Sequence, residues 1–304
     1  MRIMKNKIRS LIYVGVGLIL CVLLCGGIGM TAQAAEEKTY DDFTYVENES
    51  GITITGYKGD KTELVVPGEI EGKKVTNIGD YAFEQCSTLI SVIIPDSVTS
   101  IGNGAFACCS GLTSITIPAG VTNIGNEAFY RCRGLTSITI SKSVTGTSIG
   151  DYAFFYCNEL TSITLPDSII SIGEGAFSYC MGLTSLTIPK GVTSIGNEAF
   201  SCCSSPASIT VDKENKFYDS RDNCNAIIET SSNTLVVGYE NTIIPDSVTS
   251  IGDYAFSNCG LTNITIPAGV TSIGDYAFSY CGGLTNITIP AGVTSIGDHA
   301  FSSC

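Results

Sequence analysis

The 304-residue chain has no tryptophan, a single histidine and only 15% charged residues. Ser-His and Cys-His nucleophile pairs need a histidine as base, and His299 stands alone without the partners that catalysis requires. It also occupies a phase that carries Tyr81, Tyr152, Tyr254 and Tyr276 elsewhere, so it reads as a drifted tyrosine. Cys-x-x-Cys spacing is missing, which removes the usual zinc arrangement despite 14 cysteines. No glycine-rich phosphate loop and no Gly-Gly-x-Gly-x-Asp calcium ladder occurs. Basic residues are scarce too: 16 Lys+Arg against 29 Asp+Glu give a net charge of −13, a surface that repels nucleic acid and anionic lipid. Catalytic residues, metal ligands, cofactors and a nucleic-acid partner are therefore not expected.

The longest apolar stretch runs from Leu11 to about Met30 behind Arg2, Lys5, Lys7 and Arg9, and Ala32-Gln33-Ala34 follows as a small-x-small cleavage site. This layout predicts a secretory signal peptide over 1–35. A retained membrane anchor is the alternative, since the stretch is nearly long enough to span. Cys21 and Cys25 each follow a leucine, a poor fit to a lipoprotein cleavage site. Loss of the leader would leave 12 basic side chains against 29 acidic ones and no membrane insertion.

What the chain does contain is repetition. Ile-Gly-x-x-Ala-Phe occurs nine times, starting at Ile78, Ile101, Ile124, Ile149, Ile172, Ile195, Ile251, Ile273 and Ile296. Self-similarity at about 23 residues predicts a solenoid in which each unit buries its apolar face only against its neighbours. A cysteine follows each of these isoleucines by eight residues, from Cys86 to Cys304. A fixed phase suits a stack of small buried residues better than a disulfide framework, with cross-links between adjacent coils as the alternative.

Within the unit at Ile101, Asn103 is expected to cap a short helical arc, in a column shared with Asp80, Asn126, Asp151, Glu174, Asn197, Asp253, Asp275 and Asp298. Ile101, Ala105, Phe106, Cys109 and Leu112 recur at near-helical spacing on one inward face. Ile115-Thr116-Ile117 alternates as a half-buried strand, and Pro118 ends it. Each coil is thus expected to supply one strand of a long parallel sheet and one arc opposite.

The pattern Leu112-x-x-Ile115-x-Ile117-Pro118-x-x-Val121-x-x-Ile124-Gly125-x-x-Ala128-Phe129-x-x-Cys132 resembles the 23-residue bacterial leucine-rich repeat of BspA-like surface proteins, over roughly Glu63 to Cys304. The expected fold is an α/β repeat, a right-handed leucine-rich-repeat solenoid with a parallel β-sheet on one side and short helical or 3₁₀ arcs on the other. Residues 36–77 should cap its N-terminal end, 78–211 form repeats, 212–242 a β-hairpin insertion, and 243–304 further repeats. The last of these end inside an arc, as a truncated array would.

Candidate binding residues fall in two places. Thr116, Thr139, Thr164, Thr187, Thr265 and Thr288 form an outward column that threonine's strand preference alone explains, or that lies against a glycan or an extended protein; an ordered-water surface is a third option. Phe217, Tyr218 and Arg221 lie at the polar entry to the hairpin, either a variant loop or part of a binding surface. Tyrosines that could anchor a partner fall on the arc side. The resemblance implies a secreted or cell-surface, non-enzymatic protein that adheres to host or matrix proteins or to other cells, with an extracellular protein or glycan as partner. A passive spacer carrying a further C-terminal domain is the competing expectation.

Overall fold

Alternation in the Ser-Ile-Thr-Ile segments sends isoleucine inward and the hydroxyl residues outward, as in Ser114–Ile117 and Ser137–Ile140. In the computed structural model, which describes residues 36–143, 146–203 and 208–304, these segments build a seven-stranded ladder. It runs from Glu63–Val65 through Ser91–Ile93, Ser114–Ile117, Ser137–Ile140, Ser162–Thr164 and Ser185–Ile188 to Ser208–Val211. Pairing is parallel and in register, Thr116 opposite Thr139 and Thr187 opposite Thr210. The expected signal segment lies outside the described residues.

A second parallel ladder was not expected. The residues ending at the repeat isoleucine form short strands of their own: Lys73–Ile78, Ser100–Ile101, Asn123–Ile124, Thr147–Ile149, Ile169–Ile172 and Ser194–Ile195. The glycine after each isoleucine allows this close approach. A Cβ on Gly125 would lie 2.6 Å from the carbonyl carbon of Gly102 and 2.7 Å from the Asn103 nitrogen.

The helical arcs expected from the spacing do not form. Among the described residues the one helical element is a 3₁₀ turn, Arg221–Asn223. The arc positions instead form tandem turns with two left-handed residues each, such as Glu127 (φ 58) and Arg131 (φ 57), or Tyr152 (φ 56) and Tyr156 (φ 63). Hydrogen bonding shows what stabilises so many non-glycine residues there. Glu127, Phe129 and Arg131 donate their N–H groups to carbonyls of Asp151, Ala153 and Phe155 in the next coil (2.7–2.8 Å), whereas Ala128, Tyr130 and Cys132 donate back within their own turn. A helix would satisfy only itself; this alternation makes the turn side a third inter-coil ladder.

The Asn/Asp column is likewise corrected from helix capping to coil linking. Asp80 Oδ1 accepts from the N–H of Asn103 (2.7 Å), Asn103 Oδ1 from Asn126, Asn126 Oδ1 from Asp151 and Asp151 Oδ1 from Glu174. The column repeats between Asp253, Asp275 and Asp298.

Inside, the phenylalanines stack. Phe83, Phe106, Phe129, Phe154, Phe177 and Phe200 have successive ring centroids 4.9–5.5 Å apart and planes within 10°. Beside them the coil cysteines are free thiols, fully buried from Cys109 to Cys180. Each Sγ donates to a phenylalanine carbonyl one coil back: Cys132 to Phe106 (3.1 Å), Cys157 to Phe129 and Cys180 to Phe154 (3.3 Å each). Burial raises these thiols' pKa, Cys109 to about 12, so they remain donors.

At the N-terminal end, Lys38–Tyr40, Phe43–Asn48 and Gly51–Tyr57 form an antiparallel meander whose last strand pairs in parallel with Lys73–Ile78. Phe43 and Tyr57 cover the end of the phenylalanine stack at Phe83.

The hairpin of the insertion is present, Ile227–Glu229 against Thr234–Val237, with Tyr218–Asp219 as a third antiparallel strand. It does not protrude. Ala226, Ile227, Ile228 and Leu235 are fully buried, and Thr234–Val237 pairs in parallel with Ser250–Ile251 to start the second ladder again. Where the incoming ladders stop, side chains of the insertion take over the free N–H groups. Asn225 Oδ1 accepts from Ile209 (2.7 Å), Ser220 Oγ from Val211 (3.0 Å), and the Tyr218 hydroxyl oxygen from Ile195 (3.0 Å). Blocking a sheet edge in this way also suppresses unwanted strand addition.

Candidate functional site

The threonine column is an open hydroxyl face. Thr116, Thr139, Thr164, Thr187, Thr265 and Thr288 are all exposed. Thr187 Oγ1 lies 3.0 Å from Thr210 Oγ1, the one hydrogen bond made by these hydroxyls among the described residues. The first four lie on the seven-stranded ladder, whereas Thr265 and Thr288 lie in extended segments with no ladder partner. A different set of threonines is structural: Thr113, Thr136, Thr161 and Thr184 each donate Oγ1 to a carbonyl one coil back. The two sets cannot be told apart by composition.

Of the three insertion residues, only Phe217 faces solvent, at 47% exposure. Tyr218 is a correction: it is buried at 6% and terminates a strand ladder. Arg221 is also corrected from ligand contact to internal brace. Its guanidinium holds Asp219 through two bonds (2.8 and 2.6 Å), Asn233 Oδ1 (2.8 Å) and Ser247 Oγ (3.3 Å), so the fork is engaged by the insertion and by the coil that follows it.

A larger cluster lies on the turn side. The left-handed turn residues and their neighbours hold Tyr130 over Phe155 (5.2 Å, planes 8° apart) and Tyr156 over Tyr179 (5.0 Å, 18°), with Phe155 between the pairs. Arg131 sits 5.0 Å from the Tyr130 centroid and 6.0 Å from that of Tyr156, and Arg133 sits 5.5 Å from Tyr156. The tyrosines Tyr130, Tyr156 and Tyr179 were legible as candidate anchors in the sequence; Phe155 was not. Their union with two arginines was not, because the coil phase of Arg131 carries Gln85, Cys108 and Cys202 elsewhere.

Beyond it, a groove of about 370 Å³ opens between Tyr179, Cys202, Tyr254, Asn258 and Tyr280. Asn258 Nδ2 donates to Cys202 Sγ (3.0 Å), and burial raises the thiol's pKa above its ordinary value, so it is a weak nucleophile. Burial likewise raises the carboxyl pKa of Glu198 nearby. No group of three His, Cys, Asp or Glu among the described residues could hold a metal ion. His299 stacks on Tyr276 at 4.9 Å, in the tyrosine column. No helix among the described residues is long and apolar enough to cross a membrane.

Against known families, the model described as BspA type leucine-rich repeat region matches residues 69–148, 143–234 and 228–304, in six copies. Among solved structures, a leucine-rich cell surface protein of Faecalibacterium prausnitzii is 31% identical, with 90% of this chain and 87% of that one covered at a TM-score of 0.63. A leucine-rich repeat protein of Eubacterium ventriosum is 26% identical, covering 85% and 66% at a TM-score of 0.59. The pneumococcal vaccine antigen PcpA shares the fold at 18% identity, covering 88% and 79% at a TM-score of 0.69. No curated protein matches the chain.

Proposed function

The chain belongs to the BspA-type leucine-rich repeat family, and from that premise we propose that it is a non-enzymatic, exported cell-surface protein that adheres to host or matrix proteins or to neighbouring cells. The observation that carries this reading is the division of labour between interior and exterior. Repeated reactive groups are engaged in building the stack: thiols donate to carbonyls, and the Asn/Asp column links successive coils. What the stack leaves unused faces outward: the aromatic and arginine side chains of the turn side, and the hydroxyl face. Half-buried aromatics beside exposed arginines on a rigid scaffold are the residue types that dominate binding energy at interfaces. The surface location is supported by the likeness to a leucine-rich cell surface protein.

Saturable binding of the full chain to immobilised matrix proteins or to whole cells tests this. Binding that survives in the wild type and drops on Tyr156→Ser or Phe217→Ser, with unchanged melting temperature, supports adhesion. Absence of binding to any cell or matrix surface would favour the spacer reading. Deleting the hairpin is not a usable control, because its strands belong to the core.

A further inference from the structure

We infer that the turn-side cluster of Arg131, Arg133, Tyr130, Phe155, Tyr156 and Tyr179 is an oxyanion-binding site for an acidic glycan, one bearing carboxylate or sulfate groups. The inference rests on the adhesive reading above and names the ligand class of one surface.

The first support is charge. In a chain with net charge −13, two arginines one residue apart in the same turn form no salt bridge among the described residues. Six lysines also form none, but of the three described arginines Arg221 alone is paired, with Asp219, and no other two unpaired arginines share a turn. The uncompensated cationic pair is complementary to an anion.

Geometry is the second. Tyr130 and Tyr156 flank the Arg131 guanidinium, and Tyr156 also supports Arg133. The rings hold the guanidiniums without using their N–H groups, which make no hydrogen bond or ion pair among the described residues, and a guanidinium is the donor set that grips a carboxylate or sulfate with two parallel bonds. Tyr130 packs on Phe155 and Tyr156 on Tyr179, so the rings that carry the guanidiniums are themselves held by the neighbouring coils. The two guanidiniums are therefore held in place before any ligand arrives.

The backbone decides between an acidic glycan and an acidic peptide. An extended peptide draws much of its affinity from main-chain hydrogen bonds. Every N–H from Glu127 to Arg133 and from Tyr152 to Cys157 is already bonded, within its own turn or to the next coil. Such a surface offers a peptide backbone no donors, whereas the arginine side chains suffice for the oxyanions of a sugar chain.

Calorimetric titration of the full chain at low salt, with heparin oligosaccharides as the sulfated probe and oligogalacturonates as the carboxylated one, tests the site. Dextran and poly-glutamate serve as the neutral and peptidic controls. The expected result is binding of one or both acidic glycans, weakened at least tenfold by the double variant Arg131→Gln/Arg133→Gln and by 0.5 M salt, with the melting temperature unchanged. The Arg131→Lys/Arg133→Lys variant, which keeps charge but not the fork, should recover only part of it. Failure of both glycans to bind, equal binding by the glutamine variant, or tighter binding of poly-glutamate overturns the inference. If the glutamine variant binds neither glycan yet still attaches to cells, the site is upheld and adhesion uses another face. If the wild type binds cells but neither glycan, the inference fails while the adhesive reading stands.

Discussion

The hydroxyl of Tyr239 donates to the main-chain carbonyl of Phe200 across 3.1 Å of fully buried core. Elsewhere the corresponding carbonyl accepts from a cysteine thiol, as Phe177 accepts from Cys203 and Phe256 from Cys281. The insertion thus replaces one coil of the thiol ladder with a longer donor that spans the interruption, and the stack restarts with the Phe256 ring lying against Gly238.

Removing that donor should be costly. Tyr239→Phe keeps the ring but leaves a buried carbonyl without a partner, a loss of about 1–3 kcal/mol. Thermal or urea unfolding measures it, and a change near zero would mean that the bond is dispensable.

The phenylalanine stack should respond more strongly. Phe154→Ala empties a site between two parallel rings and should lower stability by about 3–5 kcal/mol. Phe217→Ala, at an exposed ring, should change it by less than about 0.5 kcal/mol.

Gly125→Ala tests the backbone contact between coils. Its methyl group would meet main-chain atoms of the previous coil at 2.6–2.7 Å, which no rotamer can relieve. Overpacking of this kind should cost about 2–3 kcal/mol or more. Unchanged stability would show that the coils can separate there.

Alkaline stability carries a defined sign. Burial raises the thiol pKa from an ordinary 9.0 to about 12 at Cys109 and Cys203, and well above 9.0 at Cys132, Cys157 and Cys180. The native state therefore holds protons that the unfolded chain releases, so this contribution is complete below pH 9 and declines above it. Melting temperature should fall steeply between pH 9 and 12, less so in Cys157→Ala after correction for its lower starting stability.

The acid side runs the opposite way at the N-terminal meander. Lys38 and Lys73 hold the Glu47 carboxyl at about 2 against an ordinary 4.5. Its contribution is present above pH 4.5 and is lost as pH falls toward 2. Hydrogen exchange in Phe43–Asn48 should rise over that interval, and Glu47→Gln should abolish the rise.

Much of the interior could be read from spacing, because a buried column needs the same apolar shape in every coil: Phe106, Phe129 and Phe154, or Cys109, Cys132 and Cys157, declare themselves by phase. Two-residue strands such as Ser100–Ile101 leave no alternation to detect. Left-handed turns escaped for a different reason. Their usual signature is glycine or asparagine, whereas here Tyr152, Glu127 and Arg131 adopt them under the hold of inter-coil bonds. The exposed cluster around Arg131 occurs once, so periodicity says nothing about it, and the internal ties of Tyr218 and Arg221 depend on partners distant in the chain.

The side-chain joint at the insertion also has a mechanical consequence. Tension applied along the stack is carried at most coil boundaries by main-chain ladders sharing the load. At this joint, among the described residues, it passes through side-chain contacts from Asn215, Tyr218, Ser220, Asn225, Tyr239 and Asn258 and the Lys190–Glu214 ion pair. Pulled from its ends, the molecule should yield there first, parting into two coil blocks before either unravels.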